Sequence, residues 1–249
     1  MDELALLEDL FLGTPRQGPG SPDTVRRALE LCALDAASEL QVADIGCGTG
    51  ASTLQLAQIL NASITAVDFL PRFLARLDAT ALDAGLASKI HTLCCSMGAL
   101  PFAANSMDML WSEGAIYNMG FASGVKAWHP FLKPGGLLVV SEITWSHSAP
   151  ADELRAFWQR AYPEVDTAGN KIRVLEANGY SPIGYFLLPE ECWTEHYYAP
   201  LAAEFEPFLK RHEDSEAASA IVAENRAEIA LHEKYSGDFS YGMYIARKC

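Results

Sequence analysis

The segment Val42-Ala43-Asp44-Ile45 is an apolar run carrying a single carboxylate, and it ends in Gly46-Cys47-Gly48-Thr49-Gly50. Three glycines at alternate positions permit backbone angles closed to other residues and remove the Cβ atoms that would keep a ligand off the main chain. A helical pattern follows over 51–60. A buried strand that turns through such a loop into a helix is the opening of a parallel α/β design. The rest of the chain repeats the rhythm. After Gln41–Ile45, strand patterns recur at Ser63–Asp68, Ile90–Cys95, Met107–Trp111 and Gly136–Ile143, with helical patterns near 51–60, 71–85 and 118–132 between several of them. Short apolar strands with helical crossovers imply a parallel sheet covered on both faces. Pro134-Gly135-Gly136 is a turn signal launching the fifth strand.

Both ends depart from this rhythm. Leu4–Leu12 is patterned as a short amphipathic helix, followed by a breaker-rich stretch over 13–22. A second helix is expected from about Asp23 to Ala36, with Ser21 as N-cap and Pro22 in its first turn. Beyond the fifth strand, helices are expected at Ala151–Tyr162 and Thr167–Ala177 and a strand at Tyr180–Leu188. From Pro189 to about Gly237 the chain is helical and charged, most clearly over Ala217–Lys234, and Phe239–Ala246 is a closing strand. The expected organisation of 1–249 is one domain: helices and a lid in 1–38, a Rossmann-like core of seven strands in 39–188 and 238–249, and a helical insertion in 189–237.

The formal net charge of −14 argues against a broad nucleic-acid footprint or an anionic membrane surface, because both need clustered Lys and Arg. No apolar run approaches the ~20 residues of a bilayer span, and Met1-Asp2-Glu3-Leu4 is acidic where a signal peptide is basic, so the expected location is cytoplasmic. The six cysteines form no C-x-x-C pair and have no His at a zinc-like spacing. They are expected as reduced thiols, with no metal site, the adjacent Cys94-Cys95 pair included.

The glycine loop has two readings. Gly46-x-Gly48-x-x-Ala51 satisfies a dinucleotide fingerprint, and Asp68 at the end of the second strand suits ribose hydroxyls in either case. A nicotinamide-dependent oxidoreductase is therefore an alternative. Asp44 separates the readings. A buried carboxylate two residues before the first glycine gains little beside a pyrophosphate, whereas it orients the loop and favours the cationic amino acid end of S-adenosylmethionine (SAM).

Read in order, the motifs resemble those of the class I SAM-dependent methyltransferases, in particular the ubiquinone/menaquinone-biosynthesis-like group with a Leu-Pro-Phe signature. Asp44-Ile45-Gly46-Cys47-Gly48-Thr49-Gly50 is similar to the family's first motif, and Asp68 to its ribose-binding acid. Leu100-Pro101-Phe102, Met107-Asp108-Met109 and Leu132-Lys133-Pro134-Gly135-Gly136 match later segments, so the likeness covers about Gln41 to Ile143. Ser96 stands where many members have the Asp that accepts from the adenine amino group; Ser96 and the N–H of Met97 are expected to serve there instead. The resemblance implies a strand order of 3-2-1-4-5-7-6 with the last strand antiparallel. That order puts 189–237 on the ligand edge, as a cap over an acceptor pocket, with a solvated helical pair or a dimer contact as the alternative.

SAM is the expected cofactor and a small molecule the expected methyl acceptor; a non-catalytic SAM-binding protein and a homodimer are further possibilities. In the family, the segment before the core often closes on the methionine end, which makes Arg16 and Gln17 candidates. The expected cofactor residues are Gln17, Asp44, Gly46, Cys47, Gly48 and Gly50, then Asp68, Phe69, Ser96, Met97, Glu113 and Gly114. Methyl transfer from a sulfonium requires alignment and desolvation, and requires a base only where the acceptor holds a proton. Candidate catalytic residues are Glu113, Tyr117 and His196. Asn118 is a further acceptor contact, and Glu142, Trp145 and His147 are expected to leave strand five at the same rim. Trp193, Tyr197 and Tyr198 join His196 in an aromatic cluster at the start of the insertion, and the remaining histidines, including His129 and His212, are expected at the surface.

Overall fold

A computed structural model of the chain describes residues 3–34 and 39–249. Helix α1 (Glu3–Leu12) leads through a loop to α2 (Pro22–Cys32). The side chains and backbones of Ser21 and Thr24 cap each other at the start of α2, with Pro22 in the first turn. Helix α2 ends at Cys32 because Ala33 takes a left-handed conformation, while the expected terminus at Ala36 lies outside the described residues.

The core then alternates: β1 (Leu40–Ile45), α3 (Ala51–Ile59), β2 (Ala62–Asp68), α4 (Pro71–Asp83), β3 (Ile90–Cys94) and β4 (Met107–Ser112). The pattern expected as one helix over 118–132 is split by Gly120 into a 3₁₀ turn (Ile116–Met119) and α5 (Phe121–Trp128). Strand β5 (Leu132–Trp145) is longer than expected. The Pro134-Gly135-Gly136 signal lies inside it as a bulge, since Met107 pairs with Leu132 but Met109 with Leu137. Gly135 adopts φ +76°, and Lys133 reaches Asp108 at 2.8 Å across the irregularity. Helix α6 (Asp152–Ala161), the two-residue β6 (Asp166–Thr167), α7 (Ala168–Ala177) and β7 (Tyr180–Leu187) follow.

Between β7 and β8 (Phe239–Lys248) the chain is helical: α8 (Glu191–Trp193), a π turn (Thr194–Tyr198), α9 (Ala199–Arg211) and α10 (Glu216–Tyr235). The sheet order is β3-β2-β1-β4-β5-β8-β7, with β8 antiparallel to both neighbours. This is the expected order, with β6 as an eighth strand pairing with the end of β5.

Apolar side chains fill both faces of the sheet. One layer joins Leu6, Leu10 and Val25 to Leu201, Phe205 and Phe208 of the insertion, and the other packs Trp128, Phe121 and Tyr180 against Val140 and Tyr244. Trp128 has no exposed surface and donates its indole N–H to the carbonyl of Met97 at 3.0 Å, tying α5 to the loop after β3. Trp128→Ala is expected to lower unfolding free energy by about 3–5 kcal/mol in chemical denaturation.

Candidate functional site

The site lies at the carboxyl ends of β1, β2 and β4, where the glycine loop crosses from β1 to α3. Asp68 closes β2, accepts from the N–H of Gly48 and of Leu70 at 2.9 Å each, and so braces the loop. Burial raises its pKa, and the backbone hydrogen bonds work against that rise. Gly48 and Gly50 have φ of +57° and +88°, which favour glycine. A Cβ on Gly48 would collide with Gln17 Oε1, and one on Gly50 with Leu77. At these two positions, then, the missing side chains make room for protein.

The buried Asp44 does not touch the cavity. It stands behind the loop and accepts from the hydroxyl of Thr53 in α3 at 2.5 Å. Burial pushes its pKa up to about 7; the Thr53 hydrogen bond lowers it, and the negative charges of Glu113 and Asp68 raise it further.

The N-terminal segment closes over this corner. Gln17 Oε1 accepts from the N–H and hydroxyl of Thr49 at 2.8 and 3.1 Å, which ties the N-terminal segment to the glycine loop. Arg16 forms an ion pair with Glu113 at 2.6 Å, and the other oxygen of Glu113 accepts from Ser52 at 2.5 Å. The Glu113 side chain is 4% exposed. Gly114 donates its N–H to Ser141 at 2.7 Å, which fixes the turn after β4.

Three adjoining cavities open here. The first, about 330 Å³, is lined by Gly46, Gly48, Asp68, Phe69, Met97 and Gly114 among the expected residues. A narrow one of about 60 Å³ lies between Arg16, Gln17, Cys47, Ser52 and Glu113. The third, about 200 Å³, is bounded by Tyr117, Tyr162, Trp193, Tyr197 and Tyr241. Gln17, Gly114, Tyr117, Tyr197 and Glu228 are shared by the first and third.

Several expected residues are placed elsewhere. Ser96 is exposed, accepts from Gly98, and lines none of these cavities, unlike its neighbours Cys95 and Met97. Gly50 also sits behind the wall, against Leu77. His196 is off the walls, because the turn presents Tyr197 to them instead. Glu142 and Trp145 lie within β5, and His147 is turned to Asp238 at 3.1 Å. Glu142 is fully buried and pairs with Lys171 at 3.1 Å; burial pushes its pKa up to about 7 against the pull of Lys171. Two histidines expected at the surface are not there. His232 is buried and stacks on Trp193, with ring centroids 4.9 Å apart, while His212 is largely covered and meets Asp9 at 3.1 Å.

Sequence reading missed two carboxylates. Glu8, from α1, lines the 330 Å³ cavity with Leu4, Leu7 and Phe11, and its buried Oε1 has no hydrogen-bond partner. An amphipathic pattern shows which face of α1 is apolar but not what it covers. Glu228, from α10, lines both large cavities and accepts from Tyr198 at 3.0 Å. It carried no motif. Among the described residues no helix is long and apolar enough to cross a membrane, and no cluster of three or more His, Cys, Asp or Glu is placed to hold a metal.

Two tests follow from this geometry. A carboxyl raised from 3.8 to about 7 by folding supports the folded state fully below its unfolded value and loses that support as pH rises towards 7. Asp44→Asn is therefore expected to flatten the fall in unfolding free energy with pH, by up to about 1.4 kcal/mol per unit between about pH 4 and 7, in denaturation series against wild type. Glu113→Gln leaves Arg16 without its buried counter-charge, and hydrogen exchange of 13–20 is expected to quicken by about tenfold or more.

Residues 42–136 match the methyltransferase domain family. The chain is 23% identical over 213 residues to the uncharacterized protein YjhP of Escherichia coli, covering 83% of this chain and 85% of that one. The solved YjhP structure superposes with a TM-score of 0.81, at 17% identity, over 96% of this chain and 99% of that one. A wheat (Triticum aestivum) phosphoethanolamine N-methyltransferase is 23% identical over 225 residues; these cover 86% of this chain but only 43% of that enzyme. A SAM-dependent methyltransferase from Thiobacillus denitrificans, solved with S-adenosylhomocysteine (SAH), gives a TM-score of 0.82 at 16% identity, over 100% of this chain and 99% of that one. The [4+2]-cyclase SpnF gives 0.77 at 23% identity, over 98% and 92%. These names do not single out the quinone-biosynthesis subgroup. The domain match over 42–136, the ordered motifs and the sheet topology support a class I SAM-dependent methyltransferase fold for this chain.

Proposed function

We propose that the chain binds SAM in the 330 Å³ cavity and transfers its methyl group in line to a small molecule held in the 200 Å³ cavity. The observation that carries this is the shared wall of Gln17, Gly114, Tyr117, Tyr197 and Glu228, which sets the two spaces side by side. The donor site fits the cofactor: Asp68 stands where ribose hydroxyls need an acceptor, and Glu8 Oε1 is a buried acceptor without a donor. SAM supplies an activated methyl group on a sulfonium that leaves as a neutral thioether.

The protein's own part is placement and exclusion of water. Asp68 and Glu8 accept from the nucleoside, and Phe69, 53% exposed at the cavity, offers it an apolar face. Glu8 takes the acceptor role expected of Ser96 from a different element. The Arg16–Glu113–Ser52 contacts hold the N-terminal segment shut over the methionine end, so Glu113 is a positioning residue rather than a base. Asp44 acts through the loop that it braces. Tyr117 and Asn118 face the junction with the acceptor space, and residues 189–237 serve as its cap.

SAM binding without methyl transfer is the second reading; the fold does not by itself dictate methyl transfer, since a [4+2]-cyclase shares it. Calorimetry with SAM, SAH and NAD(H), followed by an acceptor screen that measures SAH formed, separates these readings. NAD(H) binding without a SAM response would overturn the first. Asp68→Ala and Glu8→Gln are each expected to weaken SAH by tenfold or more, since hydrogen bonds to charged groups contribute about 1.5–3 kcal/mol. Unchanged affinity in Asp68→Ala would remove the ribose assignment.

A further inference from the structure

Aromatic side chains form much of the wall of the 200 Å³ cavity, and Gln17, Pro19 and Ile143 are among the residues that complete it. Tyr117 comes from the 3₁₀ turn, Trp158 from α6, Trp193 from α8, Tyr197 from the π turn and Tyr241 from β8. Its one charged lining residue is Glu228 of α10. Among the described residues, no Lys, Arg or His lines this cavity or the 330 Å³ cavity beside it.

That charge pattern discriminates between acceptors. A phosphate or carboxylate entering here would lose its hydration against ring faces and a like charge, with no cationic donor to replace the water. A cation meets the opposite situation, because ring faces attract it and a carboxylate opposes its charge. Glu228 has room for this role. Its Oε1 accepts from Tyr198, while its second oxygen has no hydrogen-bond partner among the described residues. The buried Glu142 lines neither cavity and pairs with Lys171 at 3.1 Å.

We propose that this cavity selects a small primary or secondary amine, held as its ammonium by the aromatic walls, with Glu228 as counter-charge and proton acceptor. The inference rests on the methyl-transfer reading above. The ammonium passes one proton to the Glu228 carboxylate, which becomes a neutral acid and leaves the nitrogen lone pair free. The nitrogen regains its charge when that lone pair takes up the methyl group, and Glu228 returns its proton to water after release. Burial, which raises the pKa of Glu228 against the Tyr198 hydrogen bond, suits it to holding that proton.

The test uses the whole chain saturated with SAH and two probes of equal shape: choline, and its neutral carbon isostere with a tert-butyl group in place of the trimethylammonium. Calorimetry is expected to show choline binding about tenfold or more tightly than the isostere, and Glu228→Gln is expected to erase most of the difference. Equal binding of the two probes to wild type, or a preference that survives Glu228→Gln, would overturn the amine assignment. The wild-type comparison stands even if the variant folds poorly. Failure of wild type to bind SAH would strike the cofactor reading instead, and the probes can then be titrated without it.

Discussion

The site edge depends on the two hydrogen bonds that Asp68 accepts from the backbones of Gly48 and Leu70. They fix the glycine loop against the end of β2, while Asp44 fixes it from behind through Thr53. Both carboxylates are buried, and both sit at the carboxyl ends of adjacent parallel strands, where an α/β sheet opens its crevice. The turn after β4 and the Arg16–Gln17 segment then pack onto a loop that is already rigid.

The cavity walls come from pieces far apart in the chain. Helix α1 covers the larger space and is held by charges on other helices: Asp9 meets Arg72 of α4 and Arg211 of α9. Half-exposed pairs of this kind are individually weak, but three partners on one carboxylate, with His212 as the third, fix the orientation of a short helix. The insertion contributes Tyr197 through a π turn. The extra residue in that turn lets Tyr197 and Tyr198 both be buried side by side, with ring centroids 5.0 Å apart. One tyrosine faces the cavity and the other anchors Glu228.

The sequence by itself determined the sheet and its ligand loop. Alternating apolar strands and helices, the glycine spacing, Asp68 and the Ser21 cap are local patterns, and local patterns survive being read one residue at a time. Only the tertiary structure decided what faces what. It put Ser96 outside the cavity and Glu8 inside it, turned the Pro134-Gly135-Gly136 signal into a bulge within β5, and buried His232 against Trp193. It also brought Glu228, from a charged helix with no motif, to a wall shared with β8, α6 and the glycine loop. The physical reason is sequence distance. Whether a carboxylate on an amphipathic helix meets water or a cavity depends on packing partners more than a hundred residues away, and no spacing in its own helix encodes them.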